Sequence, residues 1–146
     1  MPTLITFLLF AFTIVSSGGY NVTANPQAVT YYTNAHALYN SDVLLAHEDK
    51  AGAAFMQLKI GDEIQVTFPD RSRRFLVQDI LRYTATDPLN VYSHFIDMSG
   101  NVYGSEELGK IIYTDGRLVL QTCYDNAKGR LFVIAYPKTE KRKDAR

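Results

Sequence analysis

The chain has 146 residues, of which 47% are hydrophobic and 21% charged, so it has the length of one domain and enough apolar residues for a core. Fifteen basic residues balance fifteen acidic ones, and this neutrality argues against a protein that binds nucleic acid by neutralising many phosphates. Cys123 is the only cysteine, which excludes an intramolecular disulfide and the multi-cysteine kind of structural zinc site.

The N-terminal segment differs from the rest of the chain. Residues 4–15 carry no charge and are mostly large and apolar, and small residues follow them at 16–19. This pattern is typical of a secretory signal with its cleavage region, and a run extended to Val22 reaches about the length of a short membrane span. We therefore predict that residues 1–24 are a signal peptide or an N-terminal membrane anchor. The alternative is a buried helix of the core.

The body of the chain, residues 25–137, is predicted to consist mainly of β-strands. Runs rich in β-branched, aromatic or alternating apolar residues lie at 27–33, 42–47, 63–68, 74–83, 117–123 and 130–136. Turn residues at 69–72 make the third and fourth of these runs a hairpin. Short helices are expected at 51–58 and 105–113. Seven or eight short strands with few helices indicate a β-barrel or sandwich, followed by a solvated charged tail at 138–146.

A second predicted hairpin places a cysteine beside an arginine. Residues 124–129 have loop chemistry, so an antiparallel return brings Arg130 next to the strand end that carries Cys123. Strand alternation places Cys123 and Gln121 on one face and Thr122 on the other. If Thr122 faces the core, the thiol points away from it.

A cysteine at a strand end next to a fixed positive charge is a candidate nucleophile, because the thiolate is the reactive species and a cation favours it. The guanidinium of Arg130 is also suited to stabilise an oxyanion. Among the three histidines, His47 is the best placed acid or base because it ends the run 42–47, whereas His36 and His94 are predicted in loops. The alternative is purely structural: a buried cysteine, a solvated arginine and a histidine without a catalytic role.

Three segments, taken in order, resemble the sortases, which are cysteine transpeptidases of bacterial surfaces. They are LLAHEDKAGAAF around His47, LKIGDEI with its following hairpin, and LVLQTCYDNAKGRLFVIA. The last of these is similar to the family's T-L-x-T-C followed several residues later by R-x-x-V. The resemblance covers about residues 43–136. The order His, Cys, Arg also differs from that of papain-like proteases, in which the cysteine precedes the histidine.

The resemblance implies a closed eight-stranded β-barrel with one or two short helices, and it implies roles for five residues. Cys123 would be the nucleophile, His47 the proton-transfer partner, and Arg130 the group that steadies the substrate carbonyl or its oxyanion. Thr122 and Gln121 would be supporting or substrate-binding residues.

Sortases cut a sorting motif such as L-P-x-T-G in a secreted protein, hold the acyl part as a thioester, and transfer it to an amine of a peptidoglycan precursor or a pilin lysine. The resemblance thus implies a peptide and an amine as partners, no organic cofactor, and a place outside the cytoplasm, secreted or anchored to the outer face of the membrane. The connection 84–115 would form one wall of the substrate groove. Some sortases bind calcium, but no ligand spacing singles out Glu48, Asp49, Glu106 or Glu107, so no metal is predicted.

Two alternatives to a transpeptidase are left open by the sequence. One is a catalytically inactive barrel of the same fold that binds a peptide, and the other is a cysteine peptidase that only hydrolyses. The sequence specifies neither the sorting motif nor the acceptor amine. Nothing in it requires a partner subunit, and we expect a monomer.

Overall fold

A computed structural model describes residues 8–19, 22–90, 92–114 and 116–138, so most of the predicted tail 138–146 lies outside the described residues. The strands are β1 (Leu9–Gly18), β2 (Ala28–Tyr32), β3 (Asp42–Leu45), β4 (Glu63–Thr67), β5 (Ser72–Ala85), β6 (Phe95–Ile96), β7 (Val102–Tyr103), β8 (Leu118–Tyr124) and β9 (Gly129–Pro137). The helices are α1 (Thr33–Tyr39), α2 (Gly52–Phe55) and α3 (Ser105–Ile112). No helix in this described part combines the length and the apolar character that crossing a bilayer requires.

The strands form a closed barrel. Hydrogen bonds connect them in the order β4–β1–β2–β3–β8–β9–β5, and β5 pairs with β4 to complete the ring. The two-residue strands β6 and β7 continue the sheet beyond β5 and do not take part in the closure. The predicted mainly β barrel with few helices is confirmed, but within the described ranges the ring has seven strands rather than eight.

Both predicted hairpins are present. β4 and β5 pair antiparallel from Glu63 opposite Leu76 to Thr67 opposite Ser72. β8 and β9 also pair antiparallel, and they place Cys123 opposite Arg130. The sequence pattern missed helix α1, because its polar and aromatic residues form no apolar stripe, and it also missed the two-residue strands β6 and β7.

Alternation along the strands creates two apolar layers, one inside the barrel and one outside it. Leu118 and Leu120 of β8 point into the barrel, whereas Val119 between them packs outward against α3 and β9. The inner layer also contains Val29, Leu44, Phe55, Ile64, Val66, Phe75, Val77, Leu131 and Val133. Thr122 lies on the buried face and Cys123 is half-buried, so the predicted orientation of β8 is confirmed.

Strand β1 occupies part of the segment predicted as a signal peptide or membrane anchor. It pairs in parallel with β2 on one side and β4 on the other. Phe12 lies in the barrel interior with its ring edge-to-face against Phe55, at 5.0 Å between centroids. An uncharged apolar run suits an export signal and an interior strand alike, so the pattern alone does not separate them. The predicted domain boundary at residue 25 falls between β1 and β2, which pair with each other in the same sheet, while residues 1–7 lie outside the described residues.

A buried carboxylate attaches the start of β1 to the rest of the barrel. Asp62 is fully buried, and its side chain accepts hydrogen bonds from the backbone N–H of Leu8 at 3.0 Å and of Lys59 at 2.9 Å. The Lys59 ammonium donates to the same carboxylate at 3.1 Å. Burial alone raises the pKa of Asp62, but the hydrogen bonds from Leu8 and Lys59 and the Lys59 charge outweigh it and lower the pKa overall.

We expect Asp62→Asn to lower the free energy of unfolding by about 2 kcal/mol at pH 7, because the amide cannot replace both charged acceptors. A carboxylate with a lowered folded-state pKa stabilises above its unfolded pKa of about 4, and this contribution is lost as the pH falls through the folded value. The difference in free energy of unfolding between the wild type and Asp62→Asn should therefore become smaller as the pH falls. Urea denaturation at several pH values measures this difference, and Asp70→Asn, at an exposed position, is the control. A difference that does not change with pH would contradict the stabilising role of the Asp62 carboxylate.

Deletion of residues 1–24 is expected to abolish cooperative unfolding. The deletion removes β1, exposes the edges of β2 and β4, and removes the buried Phe12 ring, whose loss alone corresponds to about 3–5 kcal/mol. Thermal unfolding followed by near-ultraviolet circular dichroism, with the full chain as reference, tests this expectation. A truncated chain that melts as sharply as the full chain would show that β1 is dispensable.

Candidate active site

Three strands bring the candidate catalytic residues to one end of the barrel. β3 and β8 run parallel with Leu45 opposite Gln121, so their carboxyl ends meet at the same edge of the sheet. His47 follows β3 by two residues, and Cys123 lies near the end of β8. β9 starts at this edge in the opposite direction, which places Arg130 beside Cys123.

His47, Cys123 and Arg130 line one cleft of about 420 Å³. Its walls are mainly apolar, and the long connection before β8 contributes Pro88, Leu89, Asn90 and Phe95. The family resemblance implies that the connection 84–115 forms one wall of the groove, and these four residues belong to that connection. Val22, Leu45, Ala46, Glu48, Asp49, Gln121, Thr122 and Ala127 complete the lining.

The pKa of the Cys123 thiol is raised above its ordinary value, which favours the neutral form. Burial raises its pKa, the Arg130 charge opposes this rise, and the Glu48 carboxylate adds to it. The sequence predicts that the neighbouring cation favours the thiolate. The cation does act in that direction, but burial and the carboxylate outweigh it. A nucleophilic role for Cys123 therefore requires a base in the cleft, and His47 is the imidazole that lines it.

The backbone around His47 is fixed by short-range contacts. Its carbonyl accepts the N–H groups of Lys50 at 3.0 Å and Gly52 at 2.9 Å, where the chain turns into α2. One residue earlier, the Ala46 carbonyl accepts the Thr122 hydroxyl at 2.7 Å. The His47 side chain itself is exposed at the mouth of the cleft.

Thr122 and Gln121 occupy different positions relative to the cleft. Thr122 is 3% exposed, and its hydroxyl bonds the residue before His47, so it joins β8 to the histidine segment. Gln121 is half-buried, and its side-chain oxygen accepts the hydroxyl of Tyr113. This bond directs the Gln121 side chain toward Tyr113, the residue after α3.

The guanidinium of Arg130 connects two loops. Nη1 donates to the carbonyls of Ala127 and Gly129, and Nη2 donates to the carbonyl of Pro88 at 2.7 Å. The group also lies 5.7 Å from the centre of the Phe95 ring, within the range of a cation–π contact. Sequence reasoning missed the contacts to Pro88 and Phe95, since no motif links residues so far apart in the chain.

The other two histidines lie away from this cleft. His36 belongs to α1, and its Nδ1 is 3.9 Å from a carboxylate oxygen of Asp42, at the opposite end of β3. His94 is not among the lining residues, and its carbonyl accepts the N–H of Thr86. Among the described residues, no group of three or more His, Cys, Asp or Glu is arranged to hold a metal ion.

Comparison with known proteins places this arrangement in a family. A family model described as "Sortase domain" matches residues 8–138. No curated protein matches the chain.

Several solved structures share the fold. Sortase C1 from Streptococcus agalactiae is 17% identical with a TM-score of 0.54, and the match covers 88% of this chain and 62% of that one. Sortase C from Clostridium perfringens SM101 is 15% identical with a TM-score of 0.52, at 87% and 63% coverage. Sortase A from Corynebacterium diphtheriae is 17% identical with a TM-score of 0.51, at 87% and 55% coverage. The chain thus spans less than two thirds of the length of these structures. Because the family model matches most of its residues, the chain belongs to the sortase family.

Proposed function

We propose that the chain is a cysteine transpeptidase that cleaves a sorting motif of the L-P-x-T-G kind and transfers the acyl part to an amine. The observation that carries the proposal is the placement of Cys123, His47 and Arg130 around one cleft at the ends of adjacent strands. Membership of the sortase family supports the same chemistry.

In the acylation step, His47 accepts the proton of the Cys123 thiol, and the sulfur attacks the carbonyl carbon of the scissile peptide bond. The C–N bond then breaks, the departing amine takes the proton back from the imidazolium, and a thioester remains on Cys123. A protonated thiol suits this order of steps, because the proton that the thiol loses is the one that the leaving amine needs.

We propose that Arg130 stabilises the oxyanion formed in this step. A guanidinium has five N–H donors, and within the described part of the chain three of them donate to the carbonyls of Ala127, Gly129 and Pro88. We assign the remaining two, one on Nε and one on Nη2, to the oxyanion. The three bonds hold the guanidinium in position, so little reorganisation accompanies the reaction.

In the transfer step, the acceptor amine attacks the thioester carbonyl, its proton passes to His47, and Cys123 leaves and is reprotonated. We propose that the amine belongs to a peptidoglycan precursor or a pilin lysine. The substrates of such a reaction lie outside the cytoplasm, which fits a protein that is secreted or anchored at the outer face of the membrane.

Acylation should depend on Cys123 and His47 and not on the remote histidine. We expect a thioester adduct on the full chain after mixing with a panel of sorting-motif peptides, read by intact mass. Cys123→Ala should give no adduct, and His47→Ala should form it at least about a hundredfold more slowly, which is the usual contribution of a general acid–base. His36→Ala is the matched control and should react like the wild type. Equal rates for His47→Ala and His36→Ala would exclude His47 from the chemistry.

Gly52 is expected to be required for placing His47. A Cβ at this position would overlap the Thr122 hydroxyl and the His47 carbonyl, and the latter is backbone that cannot rotate away. Gly52→Ala should therefore slow acylation more than tenfold and destabilise by about 1–3 kcal/mol, the usual range for overpacking. Gly109→Ala is the control, because its Cβ would meet neighbours at an ordinary 3.6 Å. Wild-type acylation in Gly52→Ala would show that the histidine segment tolerates displacement.

A further inference from the structure

Glu48, the residue after His47, contacts the loop on the far side of the nucleophile. Its Oε2 accepts the backbone N–H of Ala127 at 3.2 Å, across the cleft that both residues line. The carbonyl of the same Ala127 accepts Nη1 of Arg130. The backbone of Ala127, in the β8–β9 loop, thus donates its N–H to a carboxylate and accepts a hydrogen bond from a guanidinium at its carbonyl.

This loop has a backbone that needs such support. Asp125, Asn126 and Ala127 adopt successive positive φ angles of 52°, 53° and 67°. Asp and Asn tolerate the left-handed region comparatively well, but for alanine it costs about 1–2 kcal/mol. The contacts of Ala127 with Glu48 and Arg130 offset this cost, and they fix the chain that connects Cys123 to Arg130.

The charges around the thiol come from few residues. Besides Cys123, the titratable or charged residues that line the cleft are His47, Glu48, Asp49 and Arg130. The wall at 88–90 contributes only uncharged residues, namely Pro, Leu and Asn. Arg130 favours the thiolate, whereas Glu48 favours the neutral thiol. Asp49 lies in the same lining, and its carboxylate is 4.0 Å from the Lys50 ammonium.

We propose that Glu48 is a positioning residue of this site, whose carboxylate holds the β8–β9 loop against the cleft and counters the Arg130 charge at the Cys123 thiol. The inference deepens the proposed function, on which its meaning for catalysis rests. A thiol kept neutral at rest resists oxidation, because the thiolate is the form that oxidants attack. It also carries the proton that acylation delivers to the leaving amine.

The first test is the pH profile of Cys123 alkylation by iodoacetamide on the full chain, which needs no peptide substrate. Glu48→Gln preserves size and an acceptor oxygen but removes the charge, so the midpoint should move to lower pH. At pH 7 alkylation should become about threefold faster, which corresponds to about half a pH unit. Asp49→Asn, the neighbouring acid, should keep the wild-type midpoint. An unchanged midpoint in Glu48→Gln, or an equal shift in Asp49→Asn, would overturn the electrostatic role.

The second test is hydrogen exchange of the Ala127 amide, followed by nuclear magnetic resonance. Exchange should become at least tenfold faster in Glu48→Ala, stay close to wild type in Asp49→Asn, and be at least partly rescued in Glu48→Gln through its amide oxygen. Unchanged exchange in Glu48→Ala would overturn the loop contact. If Glu48→Ala does not fold, the role of Glu48 is decided by comparing Glu48→Gln with Asp49→Asn, in both the alkylation midpoint of Cys123 and the exchange rate of the Ala127 amide. Both readouts are independent of acyl transfer, so absence of a thioester would refute the proposed function without touching this inference.

Discussion

The parallel pairing of β3 with β8 is the constraint on which the site depends. Because Leu45, the last residue of β3, lies opposite Gln121, the residues that follow β3 lie beside the last residues of β8, which include Cys123, at one edge of the sheet. The hydroxyl of Thr122 fastens this edge through the Ala46 carbonyl. A shift of one residue between these strands would turn every side chain of β8 to the other face and bury the thiol in the barrel.

Around this edge, opposite charges are bonded to the same short loop. Arg130 connects the wall at Pro88 to the β8–β9 loop, and Glu48 connects that loop to the histidine segment. The two charges act in opposite senses on Cys123, and burial decides the outcome in favour of the neutral thiol. The site thus combines a fixed cation with a thiol whose raised pKa favours the neutral form.

The sequence predicts the parts of this site that follow from local rules. Strand alternation and the loop residues after Cys123 suffice to place Arg130 beside the thiol, and the apolar run before His47 places the imidazole at a strand end. The bond from Arg130 to Pro88 joins residues 42 apart, and that from Ala127 to Glu48 joins residues 79 apart, so neither leaves a local pattern. Strand β1 escapes prediction for another reason, since its uncharged composition fits two environments equally.

The partition of the acyl group between water and an amine distinguishes transpeptidation from hydrolysis. The full chain is mixed with a sorting-motif peptide and increasing concentrations of a short glycine peptide, and the products are identified by mass. We expect the amide-linked product to increase at the expense of the hydrolysed one, and both products to vanish in Cys123→Ala. Hydrolysed product alone at every amine concentration would contradict transpeptidation and identify a cysteine peptidase on this barrel.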